Sequence, residues 1–154
     1  MYYESLNQKT KKIWNKCAFL HNDFYLAGGT ALALQIGHRI SVDLDFFSFN
    51  PIKKTLLTKI EAELGNASVL VNTKNELTLL VSEIKISFIH YPFALKEETV
   101  STNIVPLASV LDIASMKAYT IGRRRSFKDY VDLYYIISKK IISLDIIISN
   151  TKEI

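Results

Sequence analysis

The sequence predicts an α/β (α+β) fold, in which helices flank a mixed β-sheet and a pair of helices follows at the C-terminus. Two patterns predict it. Residues 41–47 and 84–91 alternate between apolar and polar side chains, as half-buried strands do. From Pro106 onward, apolar residues recur three and four positions apart, as on one face of a helix. We therefore expect a core over residues 1–105 and a helical region over 106–154, packed on the core as a single compact unit.

The composition excludes several classes of protein. The 154 residues are 49% hydrophobic and 22% charged, which is typical of one folded domain and not of a disordered chain. With Cys17 as its single cysteine, the chain forms no internal disulfide. The N-terminus lacks the apolar segment of a signal peptide, and no apolar run is long enough to span a membrane. These features predict a cytoplasmic protein with no membrane partner. The net charge of +4 permits an anionic partner but is also an ordinary solubility charge.

The first half of the chain is predicted to mix helices and strands. Helices are expected over residues 5–20, 31–36 and 54–64, and strands over residues 24–27 and 41–47. Glycines follow the second and third of these helices, as is common at helix C-termini.

The second half is predicted to begin with strands and to end with helices. Strands are expected over residues 68–72, 77–81 and 84–91, and helices over residues 107–118 and 127–138. A tight turn at Ser82-Glu83 would join the last two strands, and Ser126 would cap the second helix. For the isoleucine-rich tail from residue 139 the pattern predicts no definite element.

A glycine pair lies at the junction between a predicted strand and a predicted helix. Gly28 and Gly29 allow the backbone to approach a ligand closely, and the helix that follows Thr30 would present unpaired N–H groups to a phosphate. The alternative is structural, because a sharp strand-to-helix turn also requires glycine. Alone, the pair does not distinguish the two.

Two aspartates follow on the next predicted strand. Asp43 and Asp45 are two positions apart, so both carboxylates would project from one face. Adjacent carboxylates repel each other unless a cation lies between them, and Mg²⁺ commonly uses one or two carboxylates together with substrate phosphates. The alternative is a solvated strand face. A glycine turn, a helix and then paired aspartates together favour a site for a nucleoside triphosphate and Mg²⁺.

The combination resembles the AbiEii/AbiGii toxin family. The matching stretches are A-G-G-T-A-L-A-L (27–34), H-R-I-S-V-D-L-D-F-F-S (38–48) and I-K-I-S-F-I-H-Y-P-F (84–93), followed by 112–118 and 123–134. The resemblance implies a nucleotidyltransferase-like mixed sheet of the DNA polymerase β-like superfamily. It also implies Mg²⁺- or Mn²⁺-dependent transfer of a nucleoside monophosphate from an NTP to an acceptor, with RNA, and tRNA in particular, as the expected acceptor. A type IV toxin–antitoxin or abortive-infection context would add a cognate antitoxin as partner.

The resemblance also implies roles for individual residues. Asp43, Asp45, Lys117 and Asp129 would be catalytic, Asp43 and Asp45 would hold the metal, and Gly28, Gly29, Thr30 and Arg39 would bind the triphosphate. Arg39 could instead pair with one of the two metal-binding aspartates. The alternatives from spacing alone are a solvent-facing Lys117 and helix-surface salt bridges among Lys128, Asp129 and Asp132.

Other polar residues have weaker assignments. One residue of the run Arg123-Arg124-Arg125 matches a position that the family often keeps basic. The alternative is that these charges are simply favourable near the end of the preceding helix, without any ligand. His38 receives no role, and Cys17 is expected in the core.

One position departs from the superfamily pattern. Ser87 stands where a third carboxylate is expected, and a hydroxyl is a much poorer Mg²⁺ ligand. Glu83 or Asp129 would have to replace it. Two alternative functions therefore stay open, namely a degenerate NTP-binding module without transfer activity and an RNA-binding regulatory protein.

Overall fold

The computed structural model describes residues 1–121, 123 and 126–152. It contains a five-stranded sheet in the order β1-β2-β5-β4-β3. The strands are β1 (Tyr25–Ala27), β2 (Leu44–Ser48), β3 (Ser68–Asn72), β4 (Glu76–Val81) and β5 (Ile84–His90). Strand β2 runs parallel to β5, whereas the other neighbouring pairs are antiparallel. The predicted mixed sheet is therefore confirmed.

Six α-helices accompany the sheet in the described part of the chain. They are α1 (Gln8–Trp14), α2 (Gly28–Ile36), α3 (Leu56–Leu64), α4 (Val110–Thr120), α5 (Phe127–Ser138) and α6 (Leu144–Thr151). Helix α2 ends at Gly37, whose φ of 63° gives the left-handed cap expected there. None of these helices is long and apolar enough to cross a membrane.

The prediction of one helix over residues 5–20 was wrong. The segment consists of α1 between two short 3₁₀ turns, Tyr3–Ser5 and Cys17–Leu20. The Asn7 side chain caps α1 by accepting a hydrogen bond from the Thr10 backbone N–H, and this fixes the start of the helix at residue 8.

The strand that bears the aspartates begins later than predicted. Strand β2 starts at Leu44, so Asp43 immediately precedes it and Val42 is exposed. The Thr10 hydroxyl donates to the Val42 carbonyl oxygen, and the Thr30 hydroxyl donates to that of Asp43. These side-chain hydrogen bonds satisfy backbone groups that the predicted strand would have used in its ladder.

The tight turn between β4 and β5 is confirmed. Val81 and Ile84 are paired, and Ser82 and Glu83 between them both have positive φ, 48° and 70°. Two positive φ values are characteristic of the two-residue type I′ hairpin.

The C-terminal pair of helices is confirmed as α4 and α5, and the isoleucine-rich tail adds α6. Ile147 is buried, and Thr151 donates to the Ser115 carbonyl oxygen of α4. The consecutive run Ile146-Ile147-Ile148 hides the helical period in the sequence, because apolar residues cover the helix on several sides.

The two faces of the sheet differ in chemistry. One face buries Leu44, Phe46 and Phe88, with Trp14 stacked on Phe46 at 6.5 Å between ring centroids. Asp45, between Leu44 and Phe46, projects from the opposite face, beside which α4 runs. The apolar face therefore belongs to the hydrophobic core, whereas the other face presents Asp45 towards α4.

Candidate active site

A cleft of about 260 Å³ lies between the polar face of the sheet and α4. Gly28, Gly29, Asp45 and Lys117 line one part of it, so the structure brings together four of the residues predicted for the site. The remaining wall is mostly apolar and consists of Phe47, Ile89, Tyr91, Ile113, Met116, Tyr119 and Thr120. A charged end and an apolar end are what a nucleotide requires for its phosphates and its base.

The Gly28 backbone lies close to Asp45, which is one of the predicted catalytic residues. Its φ is +65°, and a Cβ there would lie 2.8 Å from the Asp45 carboxylate oxygen Oδ2. Ala27 and Asp45 are paired across β1 and β2, which fixes this arrangement. Both the backbone conformation and the space therefore require glycine.

Arg39 has a different partner from those expected. Its guanidinium lies over Gly29, where a Cβ would collide with it. Its Nε and Nη2 donate to the two carboxylate oxygens of Asp132 at 2.7 and 2.9 Å. This bidentate ion pair holds Arg39 against α5, and its guanidinium pairs with neither of the predicted metal-binding aspartates.

The Thr30 hydroxyl has a structural task. Thr30 is buried, donates to the Asp43 carbonyl oxygen and shares a 2.7 Å hydrogen bond with the Ser41 hydroxyl. Thr30 is predicted to bind the triphosphate, and in this structure its hydroxyl is engaged with Asp43 and Ser41. Thr30 instead holds the backbone of Asp43 in place.

The two aspartates differ in surroundings. Asp45 lies in the wall of the cleft. Asp43 has a side chain that is 33% exposed, and its Oδ2 lies 3.9 Å from Lys128 Nζ. Among the described residues, no group of three or more His, Cys, Asp or Glu side chains is arranged to hold a metal ion. Two carboxylates fit Mg²⁺ only if a substrate supplies further oxygen ligands, as phosphates do.

Ser87, where the superfamily pattern leads us to expect a third carboxylate, lies directly beside Asp45. Ser87 is paired with Asp45 across the parallel strands β2 and β5, and Ser87 is buried. Glu83 cannot replace it, because Glu83 lies in the exposed hairpin turn and pairs with Lys9.

Lys117 lies in a buried ion-pair network, which excludes the alternative of a solvent-facing lysine. Its Nζ donates to Asp129 Oδ1 at 2.7 Å and lies 2.9 Å from Asp132 Oδ2. An ammonium has three N–H donors, and these two carboxylates use two of them. The third is left for the cleft that Lys117 lines.

Asp132 is the centre of this network, and the sequence did not assign it a site role. It is fully buried, and it accepts a hydrogen bond from His38 Nε2 at 2.6 Å in addition to those from Arg39. Burial alone would raise the pKa of Asp132. The hydrogen bonds from Arg39 and His38, with the Lys117 ammonium, outweigh burial and lower that pKa well below its usual range.

The surface salt-bridge interpretation of α5 was therefore wrong. Asp129 and Asp132 face the protein interior, and Lys128 lies beside Asp43 instead of pairing with Asp132. The helix thus turns its acidic side towards Lys117 and Arg39.

A match to a known protein family shows where the chain belongs. The model of the family described as nucleotidyl transferase AbiEii toxin, type IV TA system, matches residues 13–151. The chain belongs to the AbiEii family. An uncharacterized protein of Aquifex aeolicus (strain VF5) is 40% identical over 122 residues, which are 77% of this chain and 59% of that protein. The chain thus spans about three fifths of the length of the curated relative that it matches.

Solved structures share the fold at low sequence identity. JHP933 from Helicobacter pylori is 20% identical, with a TM-score of 0.67 over 92% of this chain and 72% of JHP933. The Megavirus polyadenylate synthase is 14% identical, with a TM-score of 0.61 over 84% of this chain and 31% of that one. The antibiotic-resistance factor ANT(2″)-Ia is 11% identical, with a TM-score of 0.61 over 92% and 86%. These likenesses establish a nucleotidyltransferase fold for this AbiEii chain.

The remaining AbiEii candidates lie at the edge of the cleft or outside the described residues. Arg123 stacks on Tyr119, with its guanidinium carbon 4.0 Å from the ring centroid, and donates to the Tyr119 carbonyl oxygen. Arg124 and Arg125 lie outside the described residues.

Cys17 is in the core, as predicted, and burial raises the pKa of its thiol to about 12.

Replacing Gly28 with Ala in this AbiEii protein is expected to reduce stability by about 1–3 kcal/mol, because the left-handed conformation is strained for alanine and the methyl group would displace Asp45. Urea unfolding measures the loss. The control is Gly65→Ala, also at positive φ but with no atom within 4 Å of the added Cβ. A larger loss for Gly65→Ala than for Gly28→Ala would contradict the role of the Asp45 contact.

Proposed function

We propose that this chain is a Mg²⁺-dependent nucleotidyltransferase that moves a nucleoside monophosphate from an NTP to an acceptor hydroxyl on RNA. The observation that supports it most strongly is that Gly28, Asp45 and Lys117 line a single cleft. The tRNA acceptor and a cognate antitoxin rest on membership of the AbiEii family alone.

The phosphates would lie at the start of α2. The backbone N–H groups at Gly28 and Gly29 belong to the unpaired first turn of this helix, whose dipole favours negative charge. Lys117 would contribute its remaining N–H from the opposite wall. Asp129 and Asp132 fix the Lys117 ammonium at this wall, so it pays little conformational entropy when the ligand binds.

Asp43 and Asp45 would hold Mg²⁺, with phosphate oxygens completing its ligands. The ion would supply charge neutralisation on the triphosphate when bound. Thr30 supports this pair from behind, since its hydroxyl fixes the backbone of Asp43.

In the transfer step, the acceptor oxygen forms a bond to the α-phosphorus as the bond to the bridging oxygen breaks and pyrophosphate leaves. The proton of the acceptor hydroxyl passes to water in the open cleft. Asp129 was predicted to be catalytic and to be a possible replacement for the third carboxylate. Its buried carboxylate accepts a hydrogen bond from Lys117, so it is better placed to position that lysine. We therefore assign Asp129 a positioning role.

A degenerate module that binds NTP without transfer is the second candidate. Ser87 favours it, because a hydroxyl directly across from Asp45 replaces the carboxylate expected there. Both candidates predict that the protein binds NTP. Only the nucleotidyltransferase is expected to release pyrophosphate.

Calorimetric titration with each NTP in the presence of Mg²⁺ tests the shared part of both candidates. We expect wild-type protein to bind at least one NTP, and Asp43→Asn/Asp45→Asn to weaken binding at least about tenfold, because two ligand charges are removed. Lys11→Gln/Lys12→Gln, on exposed positions of α1, is the matched charge control. Equal NTP affinity in the aspartate variant and wild type would contradict the proposed site.

A further inference from the structure

Helix α5 exposes a stripe of aromatic side chains that the proposed chemistry does not use. Phe127, Tyr130 and Tyr134 are 81%, 51% and 74% exposed. They are spaced three and four residues apart, so they lie on one face of the helix, opposite its buried aspartates. We call these three residues the α5 stripe. Solvent exposure of three large rings on one face is typical of a binding surface.

Among its described residues, the segment 99–144 that contains the α5 stripe exposes basic side chains and no acidic ones. Between residues 99 and 144 the sequence has three acidic residues, Asp112, Asp129 and Asp132, and all three are buried. The described basic residues on the surface of the same region are Arg123, Lys128, Lys139 and Lys140. The basic side chains of this segment would attract a polyanion, and Asp43 beside Lys128 is a carboxylate at the start of the stripe.

The α5 stripe begins beside the proposed catalytic cleft. Lys128 follows Phe127 directly, and its Nζ lies 3.9 Å from Asp43 Oδ2. From Phe127 to Tyr134 the helix rises about 10 Å, the length of about three stacked nucleotides. Tyr119, in the cleft wall, is also exposed and has Arg123 on its ring.

We propose that the α5 stripe binds an unpaired segment of RNA and leads its end towards Asp43 and Asp45. Base stacking on the three rings would supply sequence-tolerant affinity, and the neighbouring cations would hold the phosphates. The rings need separated bases, so the surface would prefer a single strand to a duplex. The proposal rests on the proposed function for its choice of RNA as the occupant.

The test measures fluorescence anisotropy of a labelled single-stranded RNA of about ten nucleotides with the full chain. We expect each of Phe127→Ala, Tyr130→Ala and Tyr134→Ala to weaken binding at least about fivefold, and the triple variant about a hundredfold. Lys128→Gln should lower the slope of log affinity against log salt by about 0.7. The controls are Tyr3→Ala and Lys11→Gln/Lys12→Gln, which are exposed elsewhere and should bind as wild type does.

The outcomes separate this proposal from the proposed function. Asp43→Asn/Asp45→Asn should still bind the RNA. If the wild-type protein bound RNA through the stripe but transferred no nucleotide, that result would contradict the proposed function and leave the stripe proposal intact. Wild-type RNA affinity in the triple variant would overturn the stripe proposal. A change from dimer to monomer in the triple variant, measured by sedimentation and without a change in RNA affinity, would show an interface between copies instead. Stronger binding of a duplex of the same sequence would also contradict it.

Discussion

Replacing Asp45 with Asn is expected to slow nucleotidyl transfer at least about a thousandfold, because several kcal/mol of phosphate charge stabilisation are lost and about 1.4 kcal/mol corresponds to a factor of ten. Asn has nearly the same shape, so the contact with Gly28 is retained and the folded structure should persist. The rate of pyrophosphate release measures activity, and thermal unfolding measures stability.

The matched control for Asp45→Asn is Glu83→Gln. Glu83 is another carboxylate near the sheet, but it lies in the hairpin turn and pairs with Lys9. We expect its replacement to leave the rate unchanged. If Asp45→Asn retained more than a tenth of the wild-type rate with the fold intact, the role of Asp45 would be refuted.

Replacing Asp132 with Ala is expected to reduce the free energy of unfolding by about 3–5 kcal/mol, because Arg39 and Lys117 would lose a buried counter-charge. Urea unfolding at neutral pH measures this loss. Asp145→Ala is the control, since Asp145 is exposed in the first turn of α6 and its loss should cost at most about 1 kcal/mol. Similar losses for the two variants would contradict the central position of Asp132.

The same network predicts a pH dependence. The pKa of Asp132 is lower in the folded protein than its ordinary value of about 3.9, so its stabilising effect is present above that value. The effect is lost as the pH falls through the folded pKa. The stability difference between wild type and Asp132→Asn should therefore be largest near neutral pH and decrease below about pH 4. A difference that grows on acidification would contradict this direction.

Local patterns in the sequence predict much of the fold and the part of the candidate site that contains Gly28 and Asp45. Strand alternation places Asp45 on the face opposite Leu44 and Phe46, and the glycine pair fixes the turn beside it. The departure at Ser87 was also visible, because its position on the strand follows from the same alternation. These features depend on residues near each other in the chain or on a simple strand register.

The network around Asp132 depends on contacts that no local pattern contains. In the sequence, Asp132 is 94 residues from His38 and 93 residues from Arg39, and the fold brings the three side chains into contact. Within α5 alone, charged residues three and four positions apart are typical of an exposed face, and so the sequence favoured surface pairs. One signal was available: the helical period puts Asp129 and Asp132 on the same side as the apolar Leu133 and Ile136, which are buried.

Transfer of label from an α-labelled NTP tests the central claim most directly. Purified protein with Mg²⁺ would be incubated with each labelled NTP in turn, with total cellular RNA and with protein extract, beside Asp43→Asn/Asp45→Asn as the inactive control. We expect label to enter RNA with the wild-type protein only, and the NTP that supplies the label identifies the base. Label in protein alone would contradict an RNA acceptor. Absence of label from both fractions, with NTP binding intact by calorimetry, would contradict transfer and leave the degenerate NTP-binding module.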